Sequence, residues 1–136
     1  MNTQKFLIAS LIGGVVFFLL GALFYLVLLG SFFESHSIGT GHMKDPPDFL
    51  FIILGNLADG ALLAYIFLKW AGIKTAATGA QAGAVIGLLM ASAWDLLMYG
   101  TSNLMDITGT LVDIIVATIM MAIAGAAVGW YLGRGK

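Results

Sequence analysis

Cysteine is absent from this chain, proline occurs twice, and charged residues make up only 10% of the 136 positions. The lack of cysteine excludes disulfides, thiol nucleophiles, zinc–thiolate sites and iron–sulfur clusters. The scarcity of charge argues against a soluble domain, which is typically about a quarter charged and about half apolar. Hydrophobic residues reach 60% here, and the composition therefore indicates a membrane protein. A net charge of −1 gives no reason to expect a nucleic-acid partner.

Four apolar stretches are each long enough to cross a bilayer, which takes about 20 residues in a helix. They cover residues 6–33, 49–70, 78–99 and 111–132. The sequence thus predicts an all-α, polytopic membrane protein, a single domain over residues 1–136 built as a four-helix bundle. The first stretch is too long for a signal peptide and lacks a small-x-small cleavage site, so we expect it to be retained. Residues 34–48 form an outer loop.

Basic residues predict the orientation of the bundle. Five of the six lie on one side of the predicted membrane: Lys5, Lys69, Lys74, Arg134 and Lys136. Lys44 alone lies on the other side. Because short cytoplasmic loops are enriched in Lys and Arg, both termini are expected in the cytoplasm.

Small residues recur at every fourth position in the third and fourth spans, as in a glycine zipper. The glycines are Gly79, Gly83, Gly87, Gly125, Gly129 and Gly133. This spacing keeps them on one helix face, where the absence of side chains lets two helices approach closely. We expect the two spans to pack antiparallel, with Gly79 and Gly83 against the last two glycines. Asp95 should then lie beside Asp113 at the opposite end.

Two internal similarities favour a repeat of two helical hairpins in the same orientation. GNLAD at residues 55–59 resembles GTLVD at 109–113, and residues 22–30 align without a gap on 92–100. Parallel repeats of this kind occur in transporters. If the repeat holds, Tyr25 with Asp59 mirrors Asp95 with Asp113. Chance similarity within a restricted set of residue types is the alternative.

Three acids, Asp59, Asp95 and Asp113, lie within the predicted spans, and no Lys or Arg occurs between residues 74 and 134. A charged side chain at the centre of a membrane helix costs about 2.5–3.5 kcal/mol on insertion scales. Asn56 and Ser92 each lie three residues before an acid, on the same helix face. Polar groups should therefore point into the bundle together.

This clustering predicts a site for a proton or cation at Asp95, Asp113 and Asp59, with Ser92, Asn56 and Tyr25 in support. Two nearby carboxylates repel each other, and a shared proton or a bound cation would relieve the repulsion. A purely structural hydrogen-bond cluster near the outer interface is the alternative. Asp106 belongs to the outer connector at residues 100–110 and needs no such explanation.

A metal site is a weaker alternative. The outer loop contains His36, His42 and Met43, which are plausible ligands for copper, nickel or zinc, although a loop with two histidines is more often simply solvated. The sequence shows no Ser–His–acid set, phosphate loop or haem ligand pair. We therefore expect neither an enzyme nor a cofactor.

The segments GAVIGLLMASAWDLLMYGTSNL and TLVDIIVATIMMAIAG, from residues 83 and 110, resemble a family of small four-span bacterial inner-membrane proteins of unknown function. The match lies mainly in residues 79–129 and includes Trp94-Asp95 and Val112-Asp113. The first half departs from the pattern, because its opening helix has Tyr25 in place of an acid. The resemblance implies a location in the bacterial inner membrane and no assigned substrate.

Two functions compete at this level. The first is a binding or transport protein, an oligomeric bundle with an outward-facing carboxylate site for a proton or cation. The second is a non-catalytic accessory subunit that packs against a larger membrane complex through its glycine stripes. The expected partners are the lipid bilayer and either a second copy of the chain or another membrane protein.

Overall fold

A computed structural model describes residues 2–38 and 47–134 and contains four helices that are long and apolar enough to cross a membrane. These helices are Thr3–Leu28, Phe49–Ala71, Ala76–Thr101 and Ile107–Gly133. The described residues contain no β-strand, only one isolated bridge between Ser37 and Met105. The prediction of an all-α, multi-pass four-helix bundle is confirmed.

The elements are α1 (Thr3–Ala22), α2 (Gly30–His36), α3 (Phe49–Tyr65), α4 (Ala76–Thr101) and α5 (Ile107–Gly133). Wider π-helical turns, Leu23–Leu28 and Ile66–Ala71, extend α1 and α3. The first span therefore ends at Leu28 and not at residue 33 as predicted. The apolar run continues through the buried Phe33, so hydropathy contains no signal for the break at Leu29, where the backbone leaves the helical region (φ −121, ψ 14).

The turns between helices use standard caps. Gly72 ends the π-helical turn after α3 in the left-handed conformation (φ 62), which glycine adopts without strain. Thr75 caps α4 by accepting a hydrogen bond from the Thr78 amide at 3.1 Å. Asp106 caps α5 in the same way, accepting from the Gly109 amide at 2.8 Å. The outer connector is thus shorter than predicted, and Asp106 has a structural role at a helix N-terminus.

The helices pack in the order α3, α1, α5, α4. The tightest contact joins α4 to α5, the next joins α1 to α3, and α1 packs on α5 to connect the two hairpins. Direct packing between α3 and α4 is at most marginal among the described residues. In a two-fold arrangement of repeated hairpins, α3 against α4 would be the counterpart of α1 against α5. That side is open instead, and we call it the α3–α4 groove.

Glycines bring α4 and α5 into backbone contact. A Cβ atom added at Gly79 would overlap the carbonyl of Gly125, and one at Gly83 would overlap the carbonyl of Met121. Gly83 thus lies beside Met121 and Gly125, one turn from the predicted contact with Gly129. The offset arises because each glycine accommodates a carbonyl group of the opposite helix, which lies between two successive small residues. Gly133 lies past the start of α4 and contacts the backbone of Lys74.

A second glycine contact, between α1 and α3, was not anticipated from the sequence. A Cβ atom at Gly60 would overlap backbone atoms of Ser10 and Gly14, and one at Gly13 would lie 2.9 Å from the Gly60 Cα. Backbones can approach this closely only where both helices lack side chains. The crossing fixes the depth and direction of Asp59, which immediately precedes Gly60.

The described basic side chains lie at one end of the bundle, as the sequence suggested. Lys5 Nζ lies 3.5 Å from the Leu132 carbonyl oxygen at the end of α5, where a positive charge complements the helix dipole. Arg134 lies over the Trp130 ring, 5.1 Å from its centroid. Lys69 and Lys74 flank the turn between α3 and α4 at the same end.

Candidate functional site

The contact between α4 and α5 brings Asp95 and Asp113 together. Their carboxyl groups are close enough to interact directly, and both residues are only partly exposed. Within the described chain, Asp95 Oδ2 is buried and has no hydrogen-bond partner. A buried polar atom without a hydrogen-bond partner lowers the stability of a folded protein by about 1–3 kcal/mol. The pair is therefore an incomplete arrangement that a proton or a bound positive group would complete.

Tyr25 completes one side of the pair. Its hydroxyl donates a hydrogen bond to Asp113 Oδ1 at 2.6 Å, and its ring packs against Phe33 of α2 at a centroid distance of 5.2 Å. Tyr25 therefore pairs with Asp113, whereas a repeat of two hairpins would have paired it with Asp59. Tyr25 lies in the π-helical turn after α1, where the changed helical phase and the packing of α1 on α5 direct it across to the second hairpin.

The α3–α4 groove contains a cavity of about 340 Å³ that connects all three acids. Asp59 and Asn56 lie on its α3 wall, and Asp95 lies on its α4 wall. The Asn56 side-chain nitrogen donates to the Ile52 carbonyl at 2.9 Å, which fixes the orientation of the amide. The structure therefore places Asp59 across a shared space from the Asp95–Asp113 pair.

A second cavity of about 190 Å³, which we call the outer cavity, lies between the Asp95–Asp113 pair and the connector before α5. Thr110 and Ser102 contribute hydroxyl groups to its lining. Both hydroxyls donate to backbone carbonyls, at 2.9 and 2.7 Å, so their oxygens remain able to accept a hydrogen bond. Asp95 and Asp113 line both cavities and thus lie between the outer connector and the groove.

No basic residue lines either cavity among the described residues. The three acids therefore create a negative region inside the bundle, and the described basic residues, Lys5, Lys69, Lys74 and Arg134, lie at the opposite end. Ser92, predicted to support Asp95, is partly exposed and lines neither cavity in the described part of the chain.

The alternative metal site receives little from the described structure. The His36 ring stacks on Phe32 at 4.1 Å between centroids, and its Nδ1 lies 2.9 Å from the Phe32 carbonyl oxygen. His42 and Met43 lie outside the described residues. Across residues 2–38 and 47–134, no three His, Asp or Glu side chains form a group suited to hold a metal ion.

Sequence reasoning gave Trp94 no role of its own and named it only as the residue before Asp95. In the structure its side chain lines both cavities and is 66% exposed. Its position beside an acid inside a span was the available signal, because tryptophan in membrane proteins usually marks the interface.

No family model, curated protein or solved structure matches the chain. The chemistry of the site is therefore inferred from its own geometry.

Proposed function

We propose that the chain is a multi-pass protein of the bacterial inner membrane that binds a proton or cation at Asp95 and Asp113, with Asp59 on the facing wall. The observation that carries this proposal is the buried, unpartnered Asp95 oxygen beside a second carboxyl group, at the junction of two cavities. Binding or transport of that proton or cation is the role that we infer for the site.

The electrostatics of the pair explain why a positive ligand is required. Two unit charges about 4 Å apart repel by ~4 kcal/mol at an effective dielectric constant near 20. Tyr25 donates one hydrogen bond to Asp113, which offsets only part of this repulsion. A proton held between the carboxyl groups turns the repulsion into a hydrogen bond, and a bound cation neutralises it.

The direction of access follows from the position of the outer cavity. This cavity extends from the acid pair toward the α4–α5 connector, at the end of the bundle opposite Lys5, Lys74 and Arg134. Since positive charge marks the cytoplasmic side, the site faces outward and both termini are cytoplasmic.

The open α3–α4 side favours a partner within the membrane. A homo-oligomer is the arrangement we favour, because one chain packs α1 on α5 but leaves α3 and α4 apart. The accessory-subunit alternative gains from the same open side. Its partner would contact α3 and α4, since the glycine stripes of α4 and α5 already face each other within the chain. Purification in mild detergent distinguishes the two alternatives: a discrete homo-oligomer supports the first, and co-purification of unrelated subunits supports the second.

Infrared spectroscopy tests the carboxylate site, because it separates protonated carboxyl groups from carboxylates. At neutral pH in lipid nanodiscs, the wild-type protein should show a protonated carboxyl band that is lost in Asp95→Asn and Asp113→Asn. Asp48→Asn is the matched control, since Asp48 is exposed before α3 and its side chain makes no cap hydrogen bond. A wild-type spectrum without the band would contradict a proton shared by the pair, and equal bands in all four proteins would mean that the protonated group lies elsewhere.

A further inference from the structure

We propose that the α3–α4 groove binds an organic cation, an ammonium group that carries an aromatic or alkyl substituent. This inference rests on the proposed carboxylate site and specifies its ligand. Four features of the groove carry it: its size, the placement of its acids, its aromatic lining and its opening between two helices.

The size of the groove exceeds what a small inorganic ion needs. Its cavity of about 340 Å³ is roughly ten times the ~30 Å³ that one water molecule occupies in the liquid. Pockets for small organic ligands begin near ~300 Å³. The groove therefore matches an organic molecule at the lower end of that range.

The acids are distributed around the groove and do not converge on one point. Asp59 lies on the α3 wall, whereas Asp95 and Asp113 lie at the contact between α4 and α5. Within residues 2–38 and 47–134 they do not form a three-ligand group for a metal ion. Carboxylates on both sides of a space suit a positive charge spread over a bulky group, which needs neutralisation without short coordination bonds.

Aromatic and thioether side chains complete the lining. Trp94 lies next to Asp95 on the α4 wall, and Phe17 and Tyr25 contribute from the α1 side. A cation over an aromatic face is attracted by the ring quadrupole, most strongly with tryptophan, by about 0.5–2 kcal/mol. Met90 adds a polarisable side chain that adapts to different ligand shapes. An inorganic cation that keeps its water shell would gain little from these surfaces.

The route into the groove explains the need for an apolar substituent. Because α3 and α4 barely pack on each other, the groove opens at the side of the bundle, toward lipid in a single chain and toward the second copy in the proposed homo-oligomer. An ammonium head can enter the groove while its substituent stays in these apolar surroundings. The outer cavity reaches the same acid pair from the other direction. We expect the cation to exchange for the proton shared by Asp95 and Asp113, an exchange that leaves the net charge of the site unchanged, and the outer cavity gives that proton a path to the outer side.

The test uses radiolabelled benzyltrimethylammonium, equilibrated with the full-length protein in lipid nanodiscs and with empty nanodiscs. Wild-type protein should bind one cation per site and release one proton in weakly buffered solution. Asp95→Asn should weaken binding by at least tenfold. Trp94→Leu should weaken it by about 2- to 30-fold, the equivalent of the cation–π energy. Trp70→Leu, at a 71% exposed tryptophan near the basic end, and Asp48→Asn should bind as the wild type does.

Each outcome has a separate meaning. Loss of affinity in Asp95→Asn and Trp94→Leu, with both controls unaffected and all proteins monodisperse, supports the organic-cation site. A protonated carboxyl band that depends on Asp95, combined with no binding of benzyltrimethylammonium, overturns this inference and leaves the proton site in place. Absence of both the band and the binding overturns both proposals. Binding that is equal in all variants means partition into lipid and also rejects the groove.

Discussion

At the scale of single residues, Tyr25 connects the two hairpins at the acid pair. Its hydroxyl reaches Asp113 from the first hairpin, and its ring rests on Phe33 of α2. The short helix α2 is in turn held to the α4–α5 connector, because the Asp106 amide donates to the His36 carbonyl at 3.0 Å. Tyr25 therefore links α2, and through it the α4–α5 connector, to the acid pair.

Tyr25→Phe should destabilise the fold modestly and alter the site. Hydrogen bonds between helices in membranes contribute about 0.6 kcal/mol on average and up to ~1.7 kcal/mol, so the free energy of unfolding should fall within that range. Unfolding in mixed detergent micelles measures it. Tyr65→Phe is the control, since its ring contacts with Phe6 and Trp70 lie at the other end of the bundle. An equal loss in both variants would mean that the Tyr25 hydroxyl contributes nothing specific.

At the scale of helices, glycine sets which faces meet and how deeply. Gly79 and Gly83 fix α4 on α5 by direct backbone contact, and Gly60 fixes α3 on α1. Apolar side chains cannot do this in lipid, because exposed leucine is as well solvated by acyl chains as by protein. The depth of all three acids in the groove follows from these two crossings.

Gly83→Ala and Gly60→Ala should each destabilise the bundle, although only one methyl group is added. Overpacking of a tight contact costs about 1–3 kcal/mol. Gly100→Ala and Gly55→Ala are matched controls in the same helices, where an added Cβ meets no atom within 4 Å. Thermal unfolding in detergent should rank the first two below the controls. Four equal midpoints would exclude backbone contact at these glycines.

At the scale of the whole molecule, charge and polarity are separated along the membrane normal. Lys5, Lys69, Lys74 and Arg134 lie at one end, and the outer cavity lies at the other. Because positive charge marks the cytoplasmic side of membrane proteins, we expect this end to lie in the cytoplasm. This separation also keeps the basic side chains of the described residues away from the acids.

The orientation can be measured by cysteine labelling, because the native chain contains no cysteine. In intact cells, Asp48→Cys should react with a membrane-impermeant maleimide, whereas Lys74→Cys should react only after the cells are opened. A fluorescent reporter that matures only in the cytoplasm should be bright when fused after Lys136. Labelling of Lys74→Cys in intact cells, together with a dark reporter, would show that the orientation is the opposite of the one proposed.

The sequence by itself determined the class of fold and the approximate extent of the four long helices. Hydropathy defines the spans because a helix in lipid must satisfy its own backbone and present apolar side chains. The four-residue spacing of glycines in α4 and α5 predicted their contact, and with it the proximity of Asp95 and Asp113. These features are local or periodic, and helical geometry converts them directly into positions on a face.

Only the tertiary structure decided which hairpin Tyr25 joins, where the first span ends, and that α3 and α4 stand apart. The π-helical turn at Leu23–Leu28 changes the facing of Tyr25 without any change in hydropathy. The contact of Gly13 and Gly14 with Gly60 joins positions far apart in the chain. The groove exists because α3 and α4 do not pack closely against each other. Such features depend on contacts between distant segments, which neither composition nor periodicity encodes.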